Sequence, residues 1–232
     1  MLGINGQNIS DELLLGGDKQ TPTKFKNQNH NHPLGMNSMR IHGWHITYWT
    51  IGLILLAVML LLASSPWNAD SIKIAIRSTG RSSLFLFSIA VTASSVYYFW
   101  KAPFSKWVLQ NRRYIGVSFA ASHFIHLGLI ALVSIVFPEP FLEDQARSQW
   151  IFGGIGYVFV ALMALTSSDK AQHWLGMKNW KKLHLIGVYY LWFVFFMTYV
   201  KHTKIDPSFY APFLVFTVAV LSLRLIKHFK VR

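Results

Sequence analysis

The chain has 232 residues, of which 53% are hydrophobic and only 13% are charged, and its mean hydropathy is +0.34. This composition lies outside the range that is usual for soluble domains. In a soluble protein the formal charge of +13 would suggest a nucleic-acid partner, but here membrane topology explains it better, and no nucleic-acid partner is predicted. Cysteine is absent, which excludes disulfides, thiolate zinc sites and iron–sulfur clusters.

The first 40 residues are rich in Asn, Gln, Gly, Lys and His. Because they have too few apolar positions to offset the entropy of ordering, residues 1–40 are predicted to form a disordered polar cytoplasmic tail. His30 and His32 could bind a metal weakly, but a solvated tail is the favoured interpretation. A polar stretch of this length is also longer than the usual start of a secretory signal. The first apolar run is therefore predicted to be retained as a helix, and residues 41–232 to form one transmembrane domain.

Six apolar segments follow the tail, each near the ~20 residues that span a bilayer. Every backbone polar group must be satisfied internally in lipid, so these segments are predicted to be helices. The fold class is therefore all-α, an integral membrane bundle of six transmembrane helices. The segments cover residues 44–64, 81–100, 114–137, 149–166, 183–200 and 208–226.

The positions of Lys and Arg predict that the N- and C-termini are both cytoplasmic. With this orientation, sixteen of the 22 Lys and Arg residues fall on the cytoplasmic side, as the positive-inside rule requires. Several Trp residues lie near the predicted helix ends, where amphipathic rings sit at headgroup level. The protein is therefore predicted to be a multi-pass membrane protein that contacts membrane lipid. The basic residues left outside are Lys73, Arg77, Arg81, Arg147, Lys201 and Lys204.

The ten histidines of the chain are the first candidates for functional residues. Ionisable side chains within a membrane are costly and usually functional, and imidazole ligates iron through one ring nitrogen while the other is hydrogen-bonded. His123 and His126 are the two histidines in the middle of a predicted helix. His126 is predicted to be a haem ligand and His123 its neighbour or hydrogen-bond partner. The alternative for both is a structural role between helices.

The depth of each histidine limits which residues can share an iron. His126 lies thirteen residues past Arg113, or ~20 Å deep, whereas His184 lies close to the cytoplasmic surface. These two histidines therefore cannot hold the same iron, and each needs a partner at its own depth on a facing helix. For His126 this partner is near Met197, which could equally be a packing residue.

His184 has different candidate partners. His45 lies at the cytoplasmic start of the first predicted helix, and His173 is a less regularly placed alternative. His202 follows His184 by eighteen residues, on nearly the same helix face but ~27 Å further out. The basic residues Arg112, Arg113, Lys181 and Lys182 are most simply topology anchors, and their functional alternative is contact with haem propionates.

Three motifs resemble the ferric reductase-like transmembrane domain family, in particular its MsrQ (YedZ) haem-binding membrane subunits. The stretch STGRSSLFLFSIAVT is similar to the TG motif of the family's second helix. The stretch NRRYIGVSFAASHFIH is similar to its RR-x-x-G pattern, whose ligand histidine falls on His126. The stretch ALTSSDKAQHWLGMKNWKKLHLIGVYY is similar to the TS…LG…W-x-x-LH segment, whose haem ligand falls on His184. The resemblance covers residues 78–202.

The chain departs from the family's pattern at three places. A further ligand histidine lies about thirteen residues after the LH histidine in the family, and Met197 stands there in this chain. Two-haem relatives carry another histidine where this chain has Arg112. The family's usual TP after the second helix is replaced by TASS.

The resemblance implies a membrane cytochrome b with one or two haems b, in which His126 and His184 ligate haem iron. It further implies an electron conduit in the inner (plasma) membrane, an oxidoreductase component rather than a complete enzyme. Met197, His45 and His202 are additional cofactor-binding candidates because of their positions in the predicted helices. By resemblance, a quinol or a cytoplasmic flavin reductase would donate electrons, with FMN or quinone as a further cofactor, and a separate oxidoreductase on the outer side would accept them.

Two alternatives stay open. The first is a membrane anchor or assembly subunit that keeps the fold but has lost ligands and haem. The second is a proton-coupled carrier that uses His123 and His126, although no intramembrane Asp or Glu accompanies the pair,.

Overall fold

The computed structural model describes residues 42–139 and 147–231, with side chains from residue 150 onward in the second range. The predicted tail, with His30 and His32, lies outside these residues, and its disorder stays a prediction. Every element of regular structure in the described part of the chain is helical. The elements are α1 (Trp44–Ala63), α2 (Ala69–Phe99), α3 (Pro103–Gln110), α4 (Arg112–Val136), α5 (Arg147–Leu165), α6 (Asp169–Leu175), α7 (Met177–Thr203) and α8 (Pro207–Lys230).

Five helices, namely α1, α2, α4, α7 and α8, are each long and apolar enough to cross a membrane. Described residues of α5 meet the same test only together with α6, from which α5 is separated by a bend of 107°. The chain is therefore a multi-pass membrane protein, whose described residues are helical and contain five candidate spans, or six if the bent pair is counted as one. The cytoplasmic location of both termini stays a prediction.

The second helix starts well before the predicted segment 81–100. Asn68 caps α2 by accepting a hydrogen bond from the backbone N–H of Ser71 at 2.9 Å, as a favourable N-cap residue does. At 31 residues the helix is ~46 Å long, which exceeds the ~30 Å of hydrocarbon. Its first turns can therefore project beyond the hydrocarbon, so Lys73 and Arg77 lie on a helix rather than in a loop.

Contacts between helices fix their relative directions. Ser83 of α2 pairs with Ser122 of α4, and Arg112 at the start of α4 reaches Ala90, so α2 and α4 are antiparallel. Helices α1, α4 and α7 begin at one end of the bundle, which we call the proximal end. Helices α2, α5 and α8 begin at the other end, which we call the distal end.

The bundle is held together by a mixture of small polar and large apolar side chains. Between α2 and α4, the hydroxyls of Ser83 and Ser122 are fully buried and lie 2.9 Å apart, and such small residues let transmembrane helices approach closely. The main apolar cluster joins α2, α4, α5, α7 and α8 and includes Leu84, Phe119, Val160, Leu191, Phe195 and Val220. By contrast, only 6% of the apolar window of α1 is buried, which leaves this helix largely facing lipid.

Two tight turns shape the ends of the bundle. Gly176 has a φ of 77° between α6 and α7, a positive φ that glycine adopts far more readily than residues with a Cβ. Asp206 caps α8, because its carboxylate accepts hydrogen bonds from the Ser208 hydroxyl at 2.7 Å and the Phe209 N–H at 3.2 Å. These bonds lower the pKa of Asp206. The cap fixes the short distal connection between α7 and α8.

Candidate haem site in the distal half

A cavity of about 560 Å³ lies in the distal half of the bundle, between α2, α4, α5, α7 and α8. Its volume falls within the ~300–1,000 Å³ that is typical of ligand pockets. The wall is largely apolar and aromatic, with a few polar groups that converge on it. The apolar and aromatic wall residues include Ile76, Ile130, Phe152, Tyr157, Leu191, Phe195, Tyr199 and Tyr210.

His126 lies on the wall of this cavity and is held by α2. Its Nδ1 atom is 2.9 Å from the backbone carbonyl oxygen of Ile76 and 3.1 Å from the hydroxyl of Thr79. Because a carbonyl oxygen can only accept, Nδ1 must carry the proton in this bond, which leaves Nε2 of the neutral ring with a free lone pair. This is the arrangement in which a histidine is oriented to ligate a metal.

His123 lies one turn before His126 and also lines the cavity. Its ring stacks on Tyr157 with centroids 4.7 Å apart and lies 5.5 Å from the ring of His126. Its Nδ1 atom is buried and has no hydrogen-bond partner in the described part of the chain. A buried polar atom without a partner is costly, so this nitrogen is available to a group bound in the cavity.

Met197 and His202, both on α7, line the same cavity as His126. Met197 is 47% exposed, so its thioether is not committed to the packed core. The Nδ1 atom of His202 is 2.8 Å from the carbonyl oxygen of Thr198, and its ring lies 5.0 Å from that of Tyr210. The structure therefore brings together His126, Met197 and His202, three of the five residues predicted to bind a cofactor.

Basic side chains line the same cavity at its distal side. They are Arg77 and Arg81 from α2 and Lys201 from α7. The Nε of Arg81 donates to the Arg77 carbonyl at 3.1 Å, and its guanidinium lies 5.3 Å from the ring centroid of Phe209. None of these three cations has a carboxylate partner among the described residues. The cavity thus combines an aromatic interior with positive charge at one side.

His184 occupies a different environment near the proximal end. Its Nε2 is 3.2 Å from the hydroxyl of Thr166, and its ring lies 4.3 Å from that of Trp180. His184 does not line the distal cavity. Arg112 lies within electrostatic range of the imidazole. The structure therefore places a cation and two packing partners around His184.

The two residues predicted as possible partners of His184 lie on exposed surface. His45 is exposed on α1, and His173 is exposed on α6. No described hydrogen bond or ring contact joins either residue to His184. Their roles as ligands stay predictions.

Two further cavity features were not found from the sequence. Tyr157 on α5 stacks on His123, and an aromatic residue in an apolar helix carries no signal of such a role. Gly80 belongs to the TG motif, and a Cβ placed there would lie 3.4 Å from Cε1 of His126. A Cβ at this position would be in van der Waals contact with the imidazole, so a larger side chain would crowd it.

The cavity residues fit a haem b. His126 offers an imidazole nitrogen, Met197 a thioether and His202 a second imidazole, all of which are accepted haem-iron ligands. The aromatic wall suits the macrocycle, and Arg77, Arg81 and Lys201 suit its two carboxylates. In the described residues there is no group of three or more His, Cys, Asp or Glu side chains that could hold a bare metal ion.

A comparison with known families gives one match. Residues 79–197 match the family described as the ferric reductase like transmembrane component, a span that contains the TG motif, His126, His184 and Met197. No curated protein and no solved structure matches the chain.

Proposed function

Because the chain belongs to the family of ferric reductase-like transmembrane components, we propose that it is a membrane electron-transfer subunit that holds one haem b in its distal cavity. The observation that carries this proposal is the setting of His126. Its Nδ1 is bound to the Ile76 carbonyl at 2.9 Å, and its ring faces a cavity of about 560 Å³. Histidines that ligate iron are oriented by such a bond at the other nitrogen.

A bound haem b supplies one-electron chemistry through the ferric and ferrous states of its iron. The carbonyl of Ile76 fixes the tautomer and ring direction of His126 and raises the basicity of Nε2. Met197 would supply a second ligand to the iron, and His202 is the alternative ligand on the same helix. Arg77, Arg81 and Lys201 would bind the carboxylates.

The contrast with His184 supports a single haem. The described hydrogen bond and ring contact of His184 are to Thr166 and Trp180, and Arg112 lies within electrostatic range of its ring. No described hydrogen bond or ring contact joins His184 to another histidine or to a methionine. We propose a single haem, and His184 as a ligand of a second one remains a prediction from the family resemblance.

The proposed topology places the proximal end in the cytoplasm, as the distribution of Lys and Arg favours. The resemblance to MsrQ subunits favours the inner membrane as the location. The donor would then be a quinol or a cytoplasmic flavin reductase, with FMN or quinone as a further cofactor. The acceptor would be a partner oxidoreductase outside the membrane, in an arrangement similar to that of MsrQ subunits. The chain would conduct electrons and share catalysis with these partners.

The test is haem quantitation on the purified full-length protein, expressed with a supply of haem. We expect a b-type reduced-minus-oxidised spectrum and about one haem per chain by pyridine haemochrome. The haem content of His126→Ala should be at least about tenfold below that of the wild type, because the loss of an iron ligand weakens haem binding. His45→Ala is the matched control, since this histidine is exposed and does not line the cavity.

A wild-type protein without haem would contradict the proposal and leave the membrane anchor as the better interpretation. Proton-coupled transport is the weaker alternative, since no Asp or Glu of the described residues lines the cavity that holds His123 and His126. Spectroscopy distinguishes the electron conduit from both, because neither alternative requires haem.

A further inference from the structure

Two arginines from different helices meet on α2 near the proximal end. The Nε of Arg112, on α4, donates to the carbonyl oxygen of Ala90 at 2.9 Å. The Nη1 of Arg224, on α8, lies 3.4 Å from the carbonyl oxygen of Val91. These carbonyls belong to consecutive residues of α2, and the two guanidinium groups are close enough to interact electrostatically. We call Arg112 and Arg224 the arginine pair.

The arginine pair carries two positive charges that no described carboxylate balances. Arg112 and Arg224 repel each other electrostatically. By contrast, the neighbouring Arg113 forms a salt bridge, because its Nη1 lies 2.8 Å from Oδ1 of Asp169. Like charges at this separation are unfavourable, and the pair therefore lacks a counter-charge.

Most donors of the pair are also unused. A guanidinium has five N–H donors, and each arginine has one described hydrogen bond to a carbonyl. Arg224 also lies 5.5 Å from the ring centroid of Tyr189, which orients its plane. Arg112 is exposed at the bundle surface and Arg224 is half-buried. Their remaining N–H groups are therefore accessible to a ligand that approaches from the membrane surface.

We propose that the arginine pair is a binding site for a phosphate group. Two guanidinium groups that approach from different helices need an acceptor with oxygens in several directions, which a phosphate provides and which arginine recognises by paired N–H···O bonds. The pair lies at the end of the bundle where the membrane surface supplies phospholipid headgroups. Bound phosphate would link α2, α4 and α8, and so would stabilise the helix bundle.

Thermal unfolding of the full-length protein in a neutral detergent tests this site. Phosphatidylglycerol, inorganic phosphate and phosphatidylcholine would be added in separate titrations at matched ionic strength. We expect phosphatidylglycerol to raise the unfolding midpoint in a saturable manner. Saturable stabilisation by inorganic phosphate at similar concentrations would support the site but identify a soluble phosphate as its ligand. Stabilisation by neither anionic compound would overturn the proposal.

Substitutions separate the arginine pair from general surface charge. Arg112→Gln and Arg224→Gln should each weaken the apparent affinity by about tenfold or more, as expected for the loss of a charge-assisted hydrogen bond. Arg224→Lys should retain part of the affinity, because it keeps the charge. Lys178→Gln removes an exposed charge at the same end and should leave the affinity unchanged. Equal losses in Lys178→Gln and Arg224→Gln would overturn the proposal.

A second readout does not depend on ligand binding. Without an anion, Arg224→Gln should unfold at the same temperature as the wild type or higher, because it removes the repulsion from Arg112. Haem content in the same samples separates this site from the distal one. If Arg112→Gln and Arg224→Gln lost haem in parallel with anion binding, the counter-charge would be a carboxylate of the cofactor, and the phosphate site would be wrong.

Discussion

The distal and proximal halves of the bundle use the same two helices in different ways. Helices α4 and α7 bring His126 and Met197 to one cavity in the distal half. In the proximal half, the same helices place Arg112 within electrostatic range of His184. One half thus combines ligand atoms with an aromatic cavity and basic side chains, and the other combines positive charges with a packed imidazole. This difference indicates that a histidine in a membrane helix becomes a credible ligand when a cavity and an orienting bond accompany it.

The largest effects are expected when His126 and His184 are replaced by alanine, one at a time. We expect the haem content of His126→Ala to be at least about tenfold below that of the wild type, and that of His184→Ala to stay within about twofold of it. The reason is that His126 lines the cavity and His184 does not,. Pyridine haemochrome per mole of protein measures both. The reverse result, with haem lost in His184→Ala alone, would show that the proximal half holds the cofactor.

The second axial ligand sharpens the description of the distal half. A His/Met iron has a higher potential than a bis-His iron, and axial ligands act within a range of ~0.8 V. We therefore expect Met197→His to lower the midpoint potential by on the order of 0.1 V, as measured by spectroelectrochemical titration. His202→Ala is the comparison variant. A potential that changes in His202→Ala and not in Met197→His would assign the ligand to His202 instead.

The space beside His126 can be altered without removing a ligand. In Gly80→Val the new side chain would meet the imidazole, since a Cβ at this position already lies 3.4 Å from Cε1 of His126. We expect haem content to fall by roughly threefold, because displacement of the ring weakens its bond to the Ile76 carbonyl. Gly128→Val is the matched control on α4, where a Cβ has no neighbour within 4 Å. Equal haem loss in both variants would point to helix disruption rather than to crowding of His126.

The smallest expected effect separates helix pairing from the haem site. Ser83→Ala removes the bond to Ser122 at 2.9 Å, and interhelical bonds of this kind contribute about 0.6 kcal/mol on average. We expect a slightly lower free energy of unfolding in mixed micelles and unchanged haem content. The double variant Ser83→Ala/Ser122→Ala should be no worse than the sum of the single variants. A loss of haem in Ser83→Ala would mean that the cavity depends on this contact.

Several features could be predicted from the sequence because they depend on local composition. Long apolar runs gave the membrane helices, since a backbone in lipid must satisfy its own polar groups. The spacing of His126 and Met197 from the helix ends predicted a similar depth, and both residues line one cavity. Depth could be predicted because an α-helix advances by a constant ~1.5 Å per residue.

Other features depend on tertiary contacts that no local pattern encodes. One such feature is the bend of 107° between α5 and α6. Two others join residues that are distant in sequence, namely the bond between the Ile76 carbonyl and His126 and the stacking of Tyr157 on His123. The same holds for the approach of Arg112 and Arg224 to consecutive carbonyls of α2, since the sequence predicts only a topology anchor or a propionate contact at Arg112. The sequence by itself determined which segments are apolar enough to cross a membrane, and it predicted a similar depth for His126 and Met197. The tertiary structure alone decided which histidine faces a cavity, because the rotation and packing of each helix are set by its neighbours.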